Sequence, residues 1–275
     1  MIWVRAPNHL GDGVMALPAV EALCREGEVR IGAPRWGSAV YGHLSGKVVS
    51  TSPVPQAEAA VLFPPSFRVA WEARRIPVRV GLRGDWRSWL LTHAIRSRPG
   101  HRSQEYAALA DQLGASVDGP PCLPRSMLPA DVPDGHLALA PVSPSGETVM
   151  WPHFEDLGRQ WPGPVVVYLG PGEHWPTELP SRTGLPLDQL AACLQRARAL
   201  VGNDSGLAHF ARALGVPTVV LHGSTTASTT GPAGSLALEG PPLPCRPCYR
   251  KTCRIGGAPC LDISVERVQQ ALGEL

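Results

Sequence analysis

The chain has 275 residues, 44% of them apolar and 17% charged, and its 25 basic and 23 acidic side chains leave a net charge of +2. At ~150 residues per domain, this length predicts two domains, each able to bury a core. Such balanced charge gives none of the single-sign field that nucleic-acid or membrane-surface binding uses, so neither partner is favoured and no nucleic-acid partner is expected. No apolar run nears the ~18 residues of a membrane span, and MIWVRAPNHLGDG has no signal-peptide core, so a soluble cytoplasmic protein is expected.

Taken in order, Ile2 to Ala6 is an apolar strand that runs into the turn NHLGDG. It is followed by VMALPAVEALCRE, where Val14, Leu17, Val20 and Leu23 recur at helical spacing. VRIGAP, a helix around Ser38 to Leu44, KVVSTSP, AEAAVLF, a helix from Phe67 to Arg75 and VRVGL continue the alternation. Between Gly119 and Gly135, five prolines and two glycines in 17 residues mark a linker. The pattern restarts with HLALAPV as strand, WPHFEDLGRQ as helix and PVVVYLG as strand. PLDQLAACLQRARAL and GLAHFARALG read as helices, PTVVLHG as a strand, and ISVERVQQALGEL as a closing amphipathic helix. Short strands alternating with helices predict an α/β protein with covered parallel sheets.

Two loops carry chemistry. NHLGDG ends the first strand, where open α/β sheets bind ligands. Gly11 and Gly13 suit a tight turn, and Asp12 is either a general base or the N-cap of the helix behind it. NDSGLAHF brings Asn203, Asp204, Ser205 and Gly206 to a helix start whose free N–H groups and dipole suit a phosphate, with His209 one turn on. The alternative is a capped helix with a packed histidine. Both asparagines of the chain, Asn8 and Asn203, lie in these two loops. A Ser-His-Asp relay fails, because adjacent Asp204 and Ser205 do not face one another on a helix. Cys245, Cys248, Cys253 and Cys260 have the spacing C-x2-C-x4-C-x6-C, which leaves a structural zinc, an iron–sulfur cluster, two disulfides or free thiols as alternatives.

Across most of its length the chain resembles glycosyltransferase family 9, the ADP-heptose:lipopolysaccharide heptosyltransferases, and within it the heptosyltransferase II type. The residues that carry this are GDGVMALPAVEAL, VLFPPSFRVAWEARRIPVRVGLRGDWRSWLLTHAI, HRSQEYAALADQLG, NDSGLAHFARALGVPTVVLHGST, and PCRPCYRKTC with CLDISVERVQQAL. The resemblance implies a GT-B architecture, two Rossmann-like domains with parallel sheets facing a central cleft. Residues 1–130 would bind the acceptor and 131–275 the nucleotide sugar. It also implies inverting transfer of a heptose from an ADP-sugar, which is a substrate and not a cofactor, without a catalytic metal. The acceptor would be a lipopolysaccharide-core-type glycan or glycolipid, met at the inner membrane face. Asp12 matches the family's base, in a loop with Asn8, Gly11 and Gly13. Asp204, Ser205, Gly206, Leu207 and His209 match the donor motif, with Asn203 beside them. Ser145 falls at a phosphate-binding hydroxyl, Glu173 at a ribose-binding acid and Leu185 near the adenine pocket.

One departure stands out. The family's usual lysine, two residues before the Trp-Pro of the second domain's first loop, is here Val149. The pyrophosphate charge then falls to backbone N–H groups, to Ser145 and Thr148, and to an arginine. Otherwise the donor differs, or the chain is a non-catalytic nucleotide- or glycan-binding relative.

Overall fold

A computed structural model describes residues 1–84, 86–144 and 146–275 and divides the chain into two units, Met1–Cys122 and Leu123–Leu275. The segment from Leu123 is bonded to the second unit, with Leu123 N donating to Ala213 O and Ser126 N to Gln195 Oε1, each at 2.8 Å. The expected boundary at 130/131 lies a few residues further along the same proline-rich segment.

The first unit comprises β1 (Ile2–Arg5), α1 (Leu10–Met15), α2 (Leu17–Glu26), β2 (Val29–Gly32), α3 (Gly37–Tyr41), β3 (Lys47–Val49), β4 (Ala59–Leu62), α4 (Phe67–Glu72), β5 (Val78–Leu82), β6 (His93–Ile95) and α5 (Arg102–Asp111). Its six strands are all parallel, in the order β3-β2-β1-β4-β5-β6. Trp3, Ala60, Leu62, Val69 and Ile76 build the core on one face. Pro18 lacks an N–H and fits the first turn of α2, so the stretch expected as one helix is two, meeting at Ala16.

The second unit repeats the plan with β7 (His136–Ala140), α6 (Phe154–Gln160), β8 (Val165–Leu169), β9 (Ser181–Thr183), α7 (Leu187–Leu194), β10 (Ala197–Asn203), α8 (Gly206–Ala213), β11 (Thr218–His222), α9 (Ala227–Thr230), β12 (Leu236–Glu239) and α10 (Val265–Gly273). Its parallel order is β12-β11-β10-β7-β8-β9. Both sheets thus have the Rossmann order.

The helix expected through PLDQLAACLQRARAL stops at Leu194, and ARALVGN is the central strand β10. A strand covered on both faces is a continuous apolar run, which periodicity cannot tell from a buried helix. β12 lies within the proline- and glycine-rich segment from Gly231 to Pro247, whose composition masks a strand pattern, and the edge strands β6 and β9 have three residues each, too few to show alternation. Ser264 caps α10, its Oγ accepting from Arg267 N at 3.3 Å, and Val265, Val268, Ala271 and Leu272 turn into the core. Among the described residues no helix is long and apolar enough to cross a membrane.

Candidate active site

In a sheet of this order, connections leave in opposite directions from two neighbouring strands, and the gap outside their carboxyl ends receives ligands. Those strands are β1 and β4 in the first unit and β7 and β10 in the second. The GDG motif follows β1 and the NDSG motif follows β10, so each lies at such a gap.

In the first unit His9, not Asp12, is the N-cap of α1, and it makes no side-chain cap bond. Asp12 is inside the first turn, which removes the capping role weighed for it. Gly11 and Gly13 likewise belong to α1 and not to a tight turn. A Cβ on Gly13 would lie 2.2 Å from the Trp36 ring, so glycine is required there for close packing. Asn8 accepts from Arg5 Nη2 at 2.7 Å through its side chain, and its carbonyl accepts from Trp36 Nε1 at 3.2 Å.

The Asp12 carboxylate meets α5. Its Oδ1 accepts from the Tyr106 hydroxyl at 2.9 Å and from Arg102 Nη1 at 3.3 Å, while Oδ2 has no donor among the described residues. Burial and the Asp12 charge push the Tyr106 phenol well above the usual tyrosine range, so it remains a donor. Burial opposes the charge on Arg102, but Asp12, Tyr106 and Glu105 raise its pKa on balance. Two fixed donors on one oxygen orient the other for proton transfer. Sequence reading missed this pair, although HRSQEY places Arg102 and Tyr106 four residues apart, on one helix face.

In the second unit Asn203 is fully buried, donating from Nδ2 to Pro141 O at 2.6 Å and accepting at Oδ1 from Trp151 N at 3.0 Å. Its amide ties the loop after β7 to the end of β10, and so sets where Asp204 emerges. Asp204 is buried, and its Oδ2 accepts from Thr230 Oγ1 at 2.7 Å. His222 Nδ1 stands 3.7 Å from Oδ2, and His209 Nε2 4.0 Å from Oδ1. Ser205 is the N-cap of α8, and its buried Oγ has no hydrogen-bond partner among the described residues. That excludes a Ser–His relay and leaves an orphan hydroxyl at a helix start formed by Gly206 and Leu207. Glu173 and Leu185 follow β8 and β9, on the far side of β7 from this cluster. The Glu173 carboxylate accepts from Gly170 N at 2.6 Å. Ser145 lies outside the described residues.

His222 is fully buried, and its Nε2 has no partner among the described residues. Burial lowers its pKa more than Asp204 and Glu239 raise it. The unfolded chain therefore takes up the proton more readily. Its contribution to stability is complete above the unfolded value of about 6.5 and declines as pH falls from there toward the depressed folded pKa, by about 1.4 kcal/mol per pH unit. Urea unfolding at a series of pH values is expected to show this decline, and His222→Phe to remove one histidine's share. An unchanged slope in the variant would show that His222 titrates normally.

Val149 is buried in a short 3-10 turn over Glu147–Val149 and offers no charge. Thr148, proposed from sequence as a phosphate donor, is also buried, and its hydroxyl is bonded to Arg250 O and to Ser224 Oγ. The cysteine-bearing loop covers this turn. Cys248 N and Tyr249 N donate to Ser224 O at 3.0 and 3.1 Å, and Cys253 N donates to Glu147 Oε1 at 3.2 Å. Lys251 packs on Gly146, where an added Cβ would lie 2.8 Å from the lysine Cα and Cβ.

Cys245, Cys248, Cys253 and Cys260 line one cavity of about 300 Å³, and all four are free thiols. They do not converge as the zinc or disulfide readings require. Among the described residues no three His, Cys, Asp or Glu side chains form a set able to hold an ion. Cys260 is buried with Sγ 4.0 Å from Thr148 O, and Cys253 Sγ turns to Gly256 O at 3.6 Å, so these two thiols face different backbone carbonyls.

Residues 169–258 match the model of glycosyltransferase family 9 (heptosyltransferase). Over 70 residues the chain is 46% identical to lipopolysaccharide heptosyltransferase 1 of Pseudomonas aeruginosa, a match that takes in 25% of this chain and spans 20% of the relative. The fold of E. coli ADP-heptose lipopolysaccharide heptosyltransferase II superposes with a TM-score of 0.78 at 22% identity, covering 99% of this chain and 97% of that one. E. coli heptosyltransferase WaaC, solved with ADP, gives 0.75 at 15% identity, covering 99% of each. Residues 169–258 are thus similar in sequence to glycosyltransferase family 9, and over nearly its whole length the chain is similar in fold to solved heptosyltransferases.

Proposed function

We propose that the chain is an inverting glycosyltransferase that moves a heptose from an ADP-sugar to a lipopolysaccharide-core-type glycan or glycolipid acceptor at the inner, cytoplasmic face of a membrane. The carrying observation is Asp12, a carboxylate at the β1/β4 gap with one oxygen held by Tyr106 and Arg102 and the other free of donors among the described residues. Asp12 takes the proton of the acceptor hydroxyl as that oxygen attacks the anomeric carbon. The bond from that carbon to the pyrophosphate oxygen breaks on the opposite face, and ADP leaves with the electron pair. In the second unit, Ser205 Oγ and the first N–H groups of α8 receive the pyrophosphate. Asp204 faces the sugar, while Glu173 and Leu185 take the ribose and adenine. The test is ADP release with ADP-heptose and a heptosylated lipid acceptor. ADP binding without turnover on any nucleotide sugar would favour the non-catalytic relative, for which the buried Val149 speaks.

The charge missing at Val149, expected from the sequence to come from an arginine and not from either lysine, is supplied on this reading by Lys251, which is exposed and packed on Gly146. A charge-assisted contact to phosphate contributes ~1.5–3 kcal/mol, so Lys251→Ala is expected to weaken ADP binding by at least about tenfold. Calorimetry checks this, and an unchanged dissociation constant would remove Lys251 from the site.

A further inference from the structure

Four large aromatic side chains of the first unit lie open to solvent within a short stretch of chain: Phe67 is 41% exposed, Trp71 44%, Trp86 92% and Trp89 68%. Three of them, Phe67, Trp71 and Trp89, adjoin one another, and Trp86 is three residues from Trp89 in the same loop. The Phe67 and Trp71 rings are stacked at 6.1 Å and 16°, and Trp89 lies 6.4 Å from Phe67. Arg74 covers the Trp71 ring at 4.4 Å. Isolated exposed aromatics need no explanation, but a contiguous set does.

The patch is held in place from below. Arg87 is fully buried beneath it, donating from Nε and Nη2 to Leu82 O at 2.9 and 2.7 Å and from Nη1 to Pro64 O at 2.7 Å. It thereby fastens the loop after β5, which carries Trp86 and Trp89, to the start of α4, which carries Phe67 and Trp71. Trp86 has φ +57°, a left-handed conformation that is strained for a bulky residue, and its ring points into water. The fold thus bears a backbone cost to keep an indole exposed.

The charge around the rings is predominantly positive. Between Phe67 and Trp89 there are six arginines and two acids. Arg68, Arg74, Arg75 and Arg83 are exposed, while Glu72 is paired with Arg68 at 2.8 Å. Indoles favour the boundary between lipid headgroups and acyl chains, and arginines are attracted to anionic headgroups. Two such signals together give stable peripheral binding where one does not. A second copy of the chain would bring this positive patch against itself.

We propose that this face of the first unit docks on an anionic lipid bilayer, with Phe67, Trp71, Trp86 and Trp89 at headgroup depth and the exposed arginines on lipid phosphates. The purpose, bringing the acceptor-binding unit to a glycolipid, rests on the proposed transfer. The binding is measured without donor or acceptor, so either idea can fail alone.

The test is co-sedimentation of the full chain with phosphatidylcholine vesicles and with vesicles carrying about one third phosphatidylglycerol. Binding is expected to the anionic vesicles, and to weaken with salt. Arg75→Gln/Arg83→Gln should lower the partition constant roughly 25-fold, at about fivefold per arginine. Trp86→Ala/Trp89→Ala should lower it by at least about tenfold on anionic vesicles. Both variants should keep the ADP-induced rise in Tm, since these side chains are exposed and belong to the other unit. The proposal is overturned if the wild type ignores anionic vesicles, or if both variants bind as the wild type does. It is also overturned if sedimentation velocity shows a dimer that the tryptophan variant abolishes while vesicle binding is unaffected, because the patch then serves a second copy.

Discussion

Asp12→Asn is expected to lower sugar transfer by at least ~100-fold, the lower end of what a positioned general base contributes. Asparagine keeps the shape and an oxygen for Tyr106 to donate to, so the network with α5 loses one bond type and not its geometry. The lost ion pair with Arg102 is half exposed, with side chains 44% and 20% accessible, and such pairs contribute ~0–1 kcal/mol. Stability should therefore change little, and ADP affinity not at all, because the residues proposed to hold the donor belong to the second unit. Rate, thermal unfolding and ADP calorimetry on one preparation separate the cases. A variant that transfers at near wild-type rate would take Asp12 out of the mechanism.

Trp151→Ala is expected to destabilise the second unit by ~3–5 kcal/mol, the range for removing a large buried aromatic. Trp151 is fully buried, its ring meets Phe154 edge-on at 5.2 Å, and its Nε1 donates to Ile263 O at 2.8 Å. Its backbone N also donates to Asn203, so the same residue joins the loop after β7, the entry to α10 and the end of β10. ADP binding should weaken along with stability. Trp151→Phe retains most of the ring but leaves Ile263 O without its donor, and should cost ~1–3 kcal/mol. Denaturant titration reads both. Equal stability of Trp151→Ala and the wild type would show that the core closes over the lost volume.

The alternating apolar segments, the glycine-marked turns and the proline-rich break were enough to read two parallel α/β units, because strand and helix periodicities are local properties of the chain. The positions of Asp12 and the NDSG loop were legible for the same reason: each follows a strand, and strand ends in such sheets form the ligand gap. What surrounds those motifs was not legible. Tyr106 and Arg102 reach Asp12 across about ninety residues, and His222 and Thr230 reach Asp204 from other elements, contacts that no local pattern encodes. β10 was misread because a strand buried on both faces loses its alternation. The zinc spacing was suggestive in one dimension, yet the four cysteines line a cavity without forming a metal-holding set among the described residues, and Cys253 and Cys260 turn to separate backbone carbonyls. The arginine-rich stretch from Phe67 to Trp89 was visible as composition, but only the fold, through buried Arg87, arranges its aromatic rings as one exposed face, because that needs a strand end, a helix start and a loop bonded to the same guanidinium.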